Sequence, residues 1–341
     1  MRQRLLLLLL TITVMLLAIA NVLWGSLSIP TGDVWQILCG AEIEGHPAWS
    51  LIIRQGRLPQ MVTALLTGAS LGTCGLLLQT LFRNPLAGPS ILGIDAGANL
   101  GVAVVLLLLG GTASIGSLAM SGHLLVVIAA MAGALMVMLL LMAMSRVLQN
   151  RVMLLITGVV VSYITGSIIQ LLNYSATEQG VHSFVMWGMG NFASVGPAQL
   201  PLFSLTCCSG LLLALLLIKP LDALLLGDRY AENLGVNIHR TRQMLLLITG
   251  LLTATTTAFC GPISFIGLAV PHLARLSLSV ANHRTLLPAT MLIGSALALT
   301  CNLLSTVPHD GSLIPINVIT PIIGAPIVLY VILRNNNQSP Q

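Results

Sequence analysis

The chain has 341 residues, of which 56% are hydrophobic and only 7% charged, with a mean hydropathy of +0.97 and a formal net charge of +5. A soluble globular domain carries about 25% charged residues, so this composition excludes one and points to an integral membrane protein. No basic cluster interleaved with aromatics accompanies the positive balance, which excludes nucleic-acid binding as its purpose.

Crossing about 30 Å of hydrocarbon takes about 20 apolar residues of helix. Ten segments qualify, at about 5–27, 61–81, 91–109, 123–144, 153–172, 200–218, 243–260, 268–280, 286–307 and 313–333. The eighth is too short to cross alone and is expected to be a broken span. Placing the N-terminus in the cytoplasm leaves Arg54 and Arg57 outside and puts the other 12 of the 14 Lys and Arg inside. With ten spans the C-terminus also lies inside. The Leu-rich opening and Ala18-Ile19-Ala20 also fit a cleaved signal peptide. However, the apolar run exceeds a signal core, and its removal leaves an odd number of spans, so a retained first helix is expected.

Along the chain, Gly68 and Gly72 on the second span and Gly93, Gly97 and Gly101 on the third recur every four residues, a spacing that lets helices approach closely. Between them RNPLAGP (83–89) reads as a rigid cytoplasmic turn fixed by Pro85 and Pro89. Asp95 is expected to cap the third span's N-terminus, with ion binding as the alternative. The six cysteines give no disulfide framework and read as small packing residues. No linker divides the chain, so residues 1–334 are expected to form one transmembrane domain and 335–341 a disordered tail.

Residues 219–242 hold 7 of the 23 charged side chains and must face water or another protein. Two short amphipathic helices are expected here, joined at Gly227. Leu221, Leu224 and Leu225 share a face of the first; in the second Asp228 caps the start and Gly235 ends it in the left-handed conformation. An interfacial pair resting on lipid is the alternative, though Asp228 and Glu232 offset Arg229, unlike a uniformly basic lipid-binding helix. Downstream, GPISFIGLAVPHLAR (261–275) sets two glycines and two prolines in apolar sequence. It is read as an unwound loop through Gly267 followed by a short helix ending near Arg275, with a simple packing kink as the alternative.

No GxxxxGK(S/T) loop, HExxH, CxxC or run of membrane acids is present, so no catalytic or metal-ligating residues are expected and no energy source is visible in the chain. Four stretches, RNPLAGP with the following GIDAGANLG, LGDRYAENLGV (226–236), GPISFIGLAVPHLAR and TPIIGAPIVLYVIL (320–333), occur in the order found in the FecCD/BtuC-like permeases of type II ABC importers for ferric siderophores, haem and vitamin B12. The chain resembles that family over almost its whole length.

The resemblance implies the all-α type II importer fold in a bacterial inner membrane. It further implies a homodimer, two ABC ATPase subunits that bind ATP and Mg, and a periplasmic substrate-binding protein; this chain itself would hold no cofactor. Coupling helices at about 220–236 would enter the ATPases through Leu221, Leu224, Gly227, Asp228, Arg229, Ala231, Glu232, Leu234 and Gly235. The 146–153 turn, with Arg151 and Val152, would lie at the cytoplasmic gate. Gly261, Pro262, Gly267, Pro271 and His272 would form the unwound segment near the path, and Arg54 and Arg57 would dock the binding protein.

Three departures from the family's pattern bear on that docking. Gln60 stands where an arginine is usual after Pro59, Asn302 and Thr306 replace an Asp and an Arg, and 313–317 lacks the usual Glu-Leu-Pro-x-Gly. His46, His123, His182 and His309 fall on the outer side, along with Met186 and Met189 around Trp187, which makes a haem path conceivable, although scattered loop histidines are mostly solvated. A self-contained ion-coupled secondary transporter is the alternative function and would need a buried carboxylate relay. An intramembrane enzyme is disfavoured, because no nucleophile–base pair or metal cluster appears.

Overall fold

A computed structural model describes residues 2–43, 45–109, 114–115, 118–119, 122–148, 150–278, 282–307 and 313–336. His309 and most of the expected 335–341 tail therefore lie outside the described residues, while Asn335 and Asn336 continue the last helix.

The described chain is helical apart from one two-residue antiparallel ladder, Ser114–Ile115 on Leu118–Ala119. In order, the helices are α1 (Arg2–Leu23), α2 (Thr31–Leu38), α3 (Pro47–Leu51), α4 (Leu58–Phe82), α5 (Ile94–Ala103), α6 (Gly122–Val147), α7 (Arg151–Ser175), α8 (Glu178–Gly188), α9 (Leu200–Leu216), α10 (Ile218–Leu226), α11 (Asp228–Asn233), α12 (Ile238–Cys260), α13 (Ile266–Leu278), α14 (His283–Ser305) and α15 (Ile316–Asn336). A π-helical stretch, Ile52–Arg57, joins α3 to α4, and another, Val104–Leu108, extends α5.

Among the described residues, six helices are long and apolar enough to cross a bilayer: Gln3–Leu23, Pro47–Phe82, Gly122–Val147, Arg151–Ser175, Ile238–Cys260 and His283–Ser305. The pair α9 and α10, bent by 49°, makes a seventh if taken as one span. Three further apolar helices, Ile94–Leu108, Ile266–Leu278 and Ile316–Tyr330, are shorter. Short length alone keeps α13, with 13 residues, at about 20 Å.

Two compact units are distinguished, one of Met1–Gly72, Asn191–Cys208 and Ile263–Gln341, the other of Thr73–Gly190 and Ser209–Pro262. In the first, α14 is flanked by α1 and α13, and α15 packs on α13. Gly68 and Gly294 each press on the other's carbonyl, so neither tolerates a Cβ. An amide chain closes the same unit: Gln60 Nε2 donates to Asn302 Oδ1 (2.8 Å), Asn302 Nδ2 to Asn21 Oδ1 (2.7 Å), and Asn21 Nδ2 to the Leu299 carbonyl (3.1 Å).

In the second unit, α5 packs against α6, α7 and α12. Gly97 faces the Gly133 carbonyl, Gly101 that of Ala129, and Gly93 that of Gly158, as the four-residue spacing led us to expect. Small residues are what let these backbones touch, since van der Waals packing replaces the hydrophobic effect between helices in lipid.

Asp95 departs from expectation. The start of α5 carries no side-chain cap; Gly93 holds that position, and Asp95 lies within the first turn, where its Oδ1 accepts a 2.7 Å bond from Thr257 Oγ1. Thr257 on the neighbouring α12 offers a hydroxyl, which displaces the local backbone bond.

Candidate functional site: the charged knob and its anchors

The 219–242 island folds as the expected helix pair. In α10 the spacing of Leu221 and Leu224 turns both inward, to 0% and 2% exposure, while Leu225, expected on the same face, instead turns out with Leu226 because it lies about 100° round the helix from Leu224. Pro220 is tolerated because it sits in the first turn, where its missing N–H has no intrahelical acceptor. Gly227 then takes φ 116° and ψ 154°, a region that only glycine enters without strain. One buried residue, Ala231, pins α11, leaving Arg229, Tyr230, Glu232 and Leu234 exposed.

The end of α11 is a Schellman motif: Gly235, at φ 82°, donates to the Glu232 carbonyl (2.9 Å), and Val236 donates to that of Ala231 (2.9 Å). Leu225, Leu226, Arg229, Tyr230, Glu232 and Leu234 thus offer apolar and charged side chains together on two rigid helices.

Asp228 does not cap α11, whose start has no side-chain cap. Its carboxylate is drawn instead to two arginines, because a charge-assisted bond outcompetes a neutral N–H. Arg83 Nη2 donates to Oδ1 at 3.2 Å, and Arg151 Nη2 donates to the same oxygen. The Arg83 nitrogen also donates to the Leu224 carbonyl at 3.1 Å.

Each arginine sits on a built turn. Arg83 ends α4 in the left-handed region at φ 47°, and the Asn84 side chain accepts from Leu86 N (2.9 Å) to shape the 83–89 turn. Asn150 caps α7 by accepting from Val152 N (2.9 Å), which fixes Arg151 at the helix start and leaves Val152 59% exposed. Arg242 Nη1, from α12, donates to the Leu148 carbonyl at 3.2 Å. The structure thereby brings the knob, Arg151 and RNPLAGP into one network. Sequence reasoning treated these as separate features; the signal was an aspartate and two arginines that topology puts on one side.

The irregular stretch is shorter than expected. Helix α12 ends at Cys260, Gly261 takes φ 75° and ψ 172°, and Phe265 enters the left-handed region at φ 66°. From Ile266 the chain is helical again, so Gly267, Pro271 and His272 lie inside α13, all buried. Gly267 falls in the first turn, where no helix bond is lost. Pro271 deprives only the Gly267 carbonyl of its i+4 donor, so the helix loses a single backbone bond. Asn317 Oδ1 accepts from Ser264 N at 3.0 Å and satisfies one backbone donor of the break.

Arg57 is 6% exposed rather than presented to solvent. Its Nη1 donates to the carbonyls of Val22 (3.2 Å) and Leu23 (2.9 Å), and its Nη2 to that of Leu27. It closes the C-terminal end of α1, where orphan carbonyls and the helix dipole both favour a cation. Arg54 is exposed, with Nη2 on the Ile37 carbonyl at 2.7 Å. A cavity of about 210 Å³ beside Arg57 is lined by Gln60, Asn302, Thr306 and Leu313 among others, the positions that depart from the family pattern.

The sequence matches the FecCD transport family over residues 10–334. It is 32% identical to the hemin transport system permease protein HmuU of Yersinia pestis, over 99% of this chain and 98% of that one. Identity is 34% to the Fe(3+) dicitrate transport system permease protein FecD of Escherichia coli, over 88% and 90%, and 32% to the vitamin B12 import system permease protein BtuC of Vibrio cholerae, over 90% and 89%. Among solved structures, a metal-chelate type ABC transporter in an inward-facing conformation superposes with a TM-score of 0.83 at 29% identity, covering 96% of this chain and 99% of that one.

Proposed function

The chain belongs to the FecCD transport family, and from that membership we propose that it is the membrane permease subunit of an ABC importer. It moves a metal chelate of the siderophore, haem or cobalamin kind into the cytoplasm while a separate ATPase chain hydrolyses ATP. The observation that carries this reading is the exposed face of α10 and α11, held rigid by Gly227, the Schellman motif and Asp228, on a chain with no phosphate-binding loop of its own. Relatives named for hemin, vitamin B12 and ferric dicitrate bound the substrate class.

In this reading six full-length helices, α9 and three short apolar helices make ten spans, and α10 lies outside the bilayer as half of the knob. Both termini face the cytoplasm of a bacterial inner membrane, as the distribution of arginines favours. Two copies form the pathway, two ATPases receive the knobs, and a periplasmic binding protein delivers the chelate. Leu225, Leu226, Arg229, Tyr230, Glu232 and Leu234 meet the ATPase, while Leu221, Leu224 and Ala231 hold the knob from inside. Arg151 and Val152 stand at the gate turn. Gly261 and Pro262 form the break that α13, with Gly267, Pro271 and His272, follows toward the path. Arg54, the exposed outer cation, takes the docking role; buried Arg57 supports it structurally.

Glu232→Arg tests the reading. Membrane insertion should be unchanged and ATPase co-purification reduced by roughly tenfold or more, the size of a lost interfacial charge contact. Normal co-purification and transport would remove the assigned surface. A self-contained ion-coupled carrier would need several buried acids, whereas Asp95 is the one carboxylate within the spanning segments; such a carrier would stop with an uncoupler while ATP remained.

A further inference from the structure

Three backbone segments far apart in sequence meet at one oxygen atom. Asp228 Oδ1 receives Arg83, 145 residues away, and Arg151, 77 residues away. The two legs differ in burial: the Arg83 side chain is 49% exposed, the Arg151 side chain 13%, and Asp228 40%. An ion pair in water is weak and exchanges with solvent, whereas one whose guanidinium is largely withdrawn from water leaves an uncompensated charge when it breaks.

The Arg151 leg has a companion. Arg242, 8% exposed and four residues into α12, donates to the Leu148 carbonyl, so the α6–α7 turn is strapped to the island from both of its ends. On the α4 side, the Nη2 of Arg83 is divided between Asp228 and the Leu224 carbonyl.

We propose that Asp228 is a positioning residue that makes the knob move as one body with the N-terminal end of α7 through Arg151, while its bond to Arg83 is an exchangeable contact. This rests on the permease reading above. Force from a partner on the exposed face of α11 is then delivered to the 146–153 turn and α7, in addition to the covalent path through α9. Asp228 differs in this from Glu232 and Leu234, whose side chains point away from the chain.

The test uses the complete importer in proteoliposomes, with ATPase and binding protein, and reads substrate transported per ATP hydrolysed, with membrane yield and ATPase co-purification measured alongside. Arg151→Gln is expected to lower that ratio by about tenfold, and Arg83→Gln by less than about threefold, as buried and exposed pairs differ. The swap Asp228→Arg with Arg151→Asp should recover the ratio to within about threefold of wild type, which a merely structural loss would not do. Should Arg151→Gln fail to insert, Arg151→Lys, which keeps the charge and loses the fork, reads the same ratio at an intermediate value. Equal effects of the Arg83 and Arg151 variants, or a swap no better than its single parents, would overturn the proposal. A wild-type chain that captures no ATPase would instead sink the underlying reading, and wild-type capture with an undiminished ratio in Arg151→Gln and Arg151→Lys would sink only the Asp228 joint.

Discussion

Gly227 shows how much one residue decides. At φ 116° and ψ 154° it turns α10 into α11 without a cap or a longer loop. Any Cβ would force this backbone out of its region at a cost on the order of 1–3 kcal/mol. Little stands near the glycine: an added Cβ would meet only Arg83 Nη2, at 3.8 Å, so the penalty is conformational rather than steric. Gly227→Ala should therefore loosen the knob while leaving the spans folded. We expect tryptic cleavage after Arg229 to accelerate roughly five- to a hundredfold, following that free-energy range, with co-purification of the ATPase reduced. An unchanged cleavage rate would show that the knob does not depend on this geometry. The need for glycine at 227 was legible from the two helical patterns that meet there. Asp228 was less so, because its position at a helix start resembles a cap and only the fold reveals two arginines competing for the carboxylate.

At the scale of elements, the glycine faces were readable and the break was only half so. Spacing of four on one helix identifies a stripe, and the structure supplies the partner, α6 for Gly97 and Gly101 and α14 for Gly68. Gly101→Leu should drive the side chain into the Ala129 backbone and lower stability by at least ~1–3 kcal/mol, read as a reduced melting midpoint in detergent. Gly166→Leu, at a helical glycine with nothing within 4 Å, is the matched control and should leave the midpoint in place. The extent of the break after α12 could not be read, because it ends at Phe265. A phenylalanine in the left-handed region carries no local sign of it, and the nearby space against Gly324 is what admits the ring. Pro271 falls within the short helix that the sequence led us to expect after the break.

For the whole molecule, composition and charge asymmetry reached the membrane class and the family motifs reached the architecture, since both are averaged over many residues. The presentation of Arg57 was misread, because whether an arginine is presented or consumed depends on neighbours distant in sequence. Arg57 is spent on α1, and two of the replaced family positions, Gln60 and Asn302, hold neutral amides bonded to each other. Docking of the binding protein should accordingly depend weakly on salt, changing by less than about threefold between about 0.05 and 0.5 M, where an interface steered by several free arginines would lose far more. Arg54→Gln should abolish what salt dependence remains. A steep salt slope that survives Arg54→Gln would return the docking role to other cations.

The clamp that Arg57 places on α1 also has a consequence in time. The carbonyls of Val22 and Leu23 belong to α1, and the guanidinium that closes them is encoded 35 and 34 residues later. At about 5–20 residues per second, the ribosome leaves that helix end open for roughly 2–7 s. Water must hold those carbonyls in the interval. Helix α1 therefore gains its final lock only when Arg57, just before α4, emerges, and a nascent chain halted before Arg57 carries α1 without it.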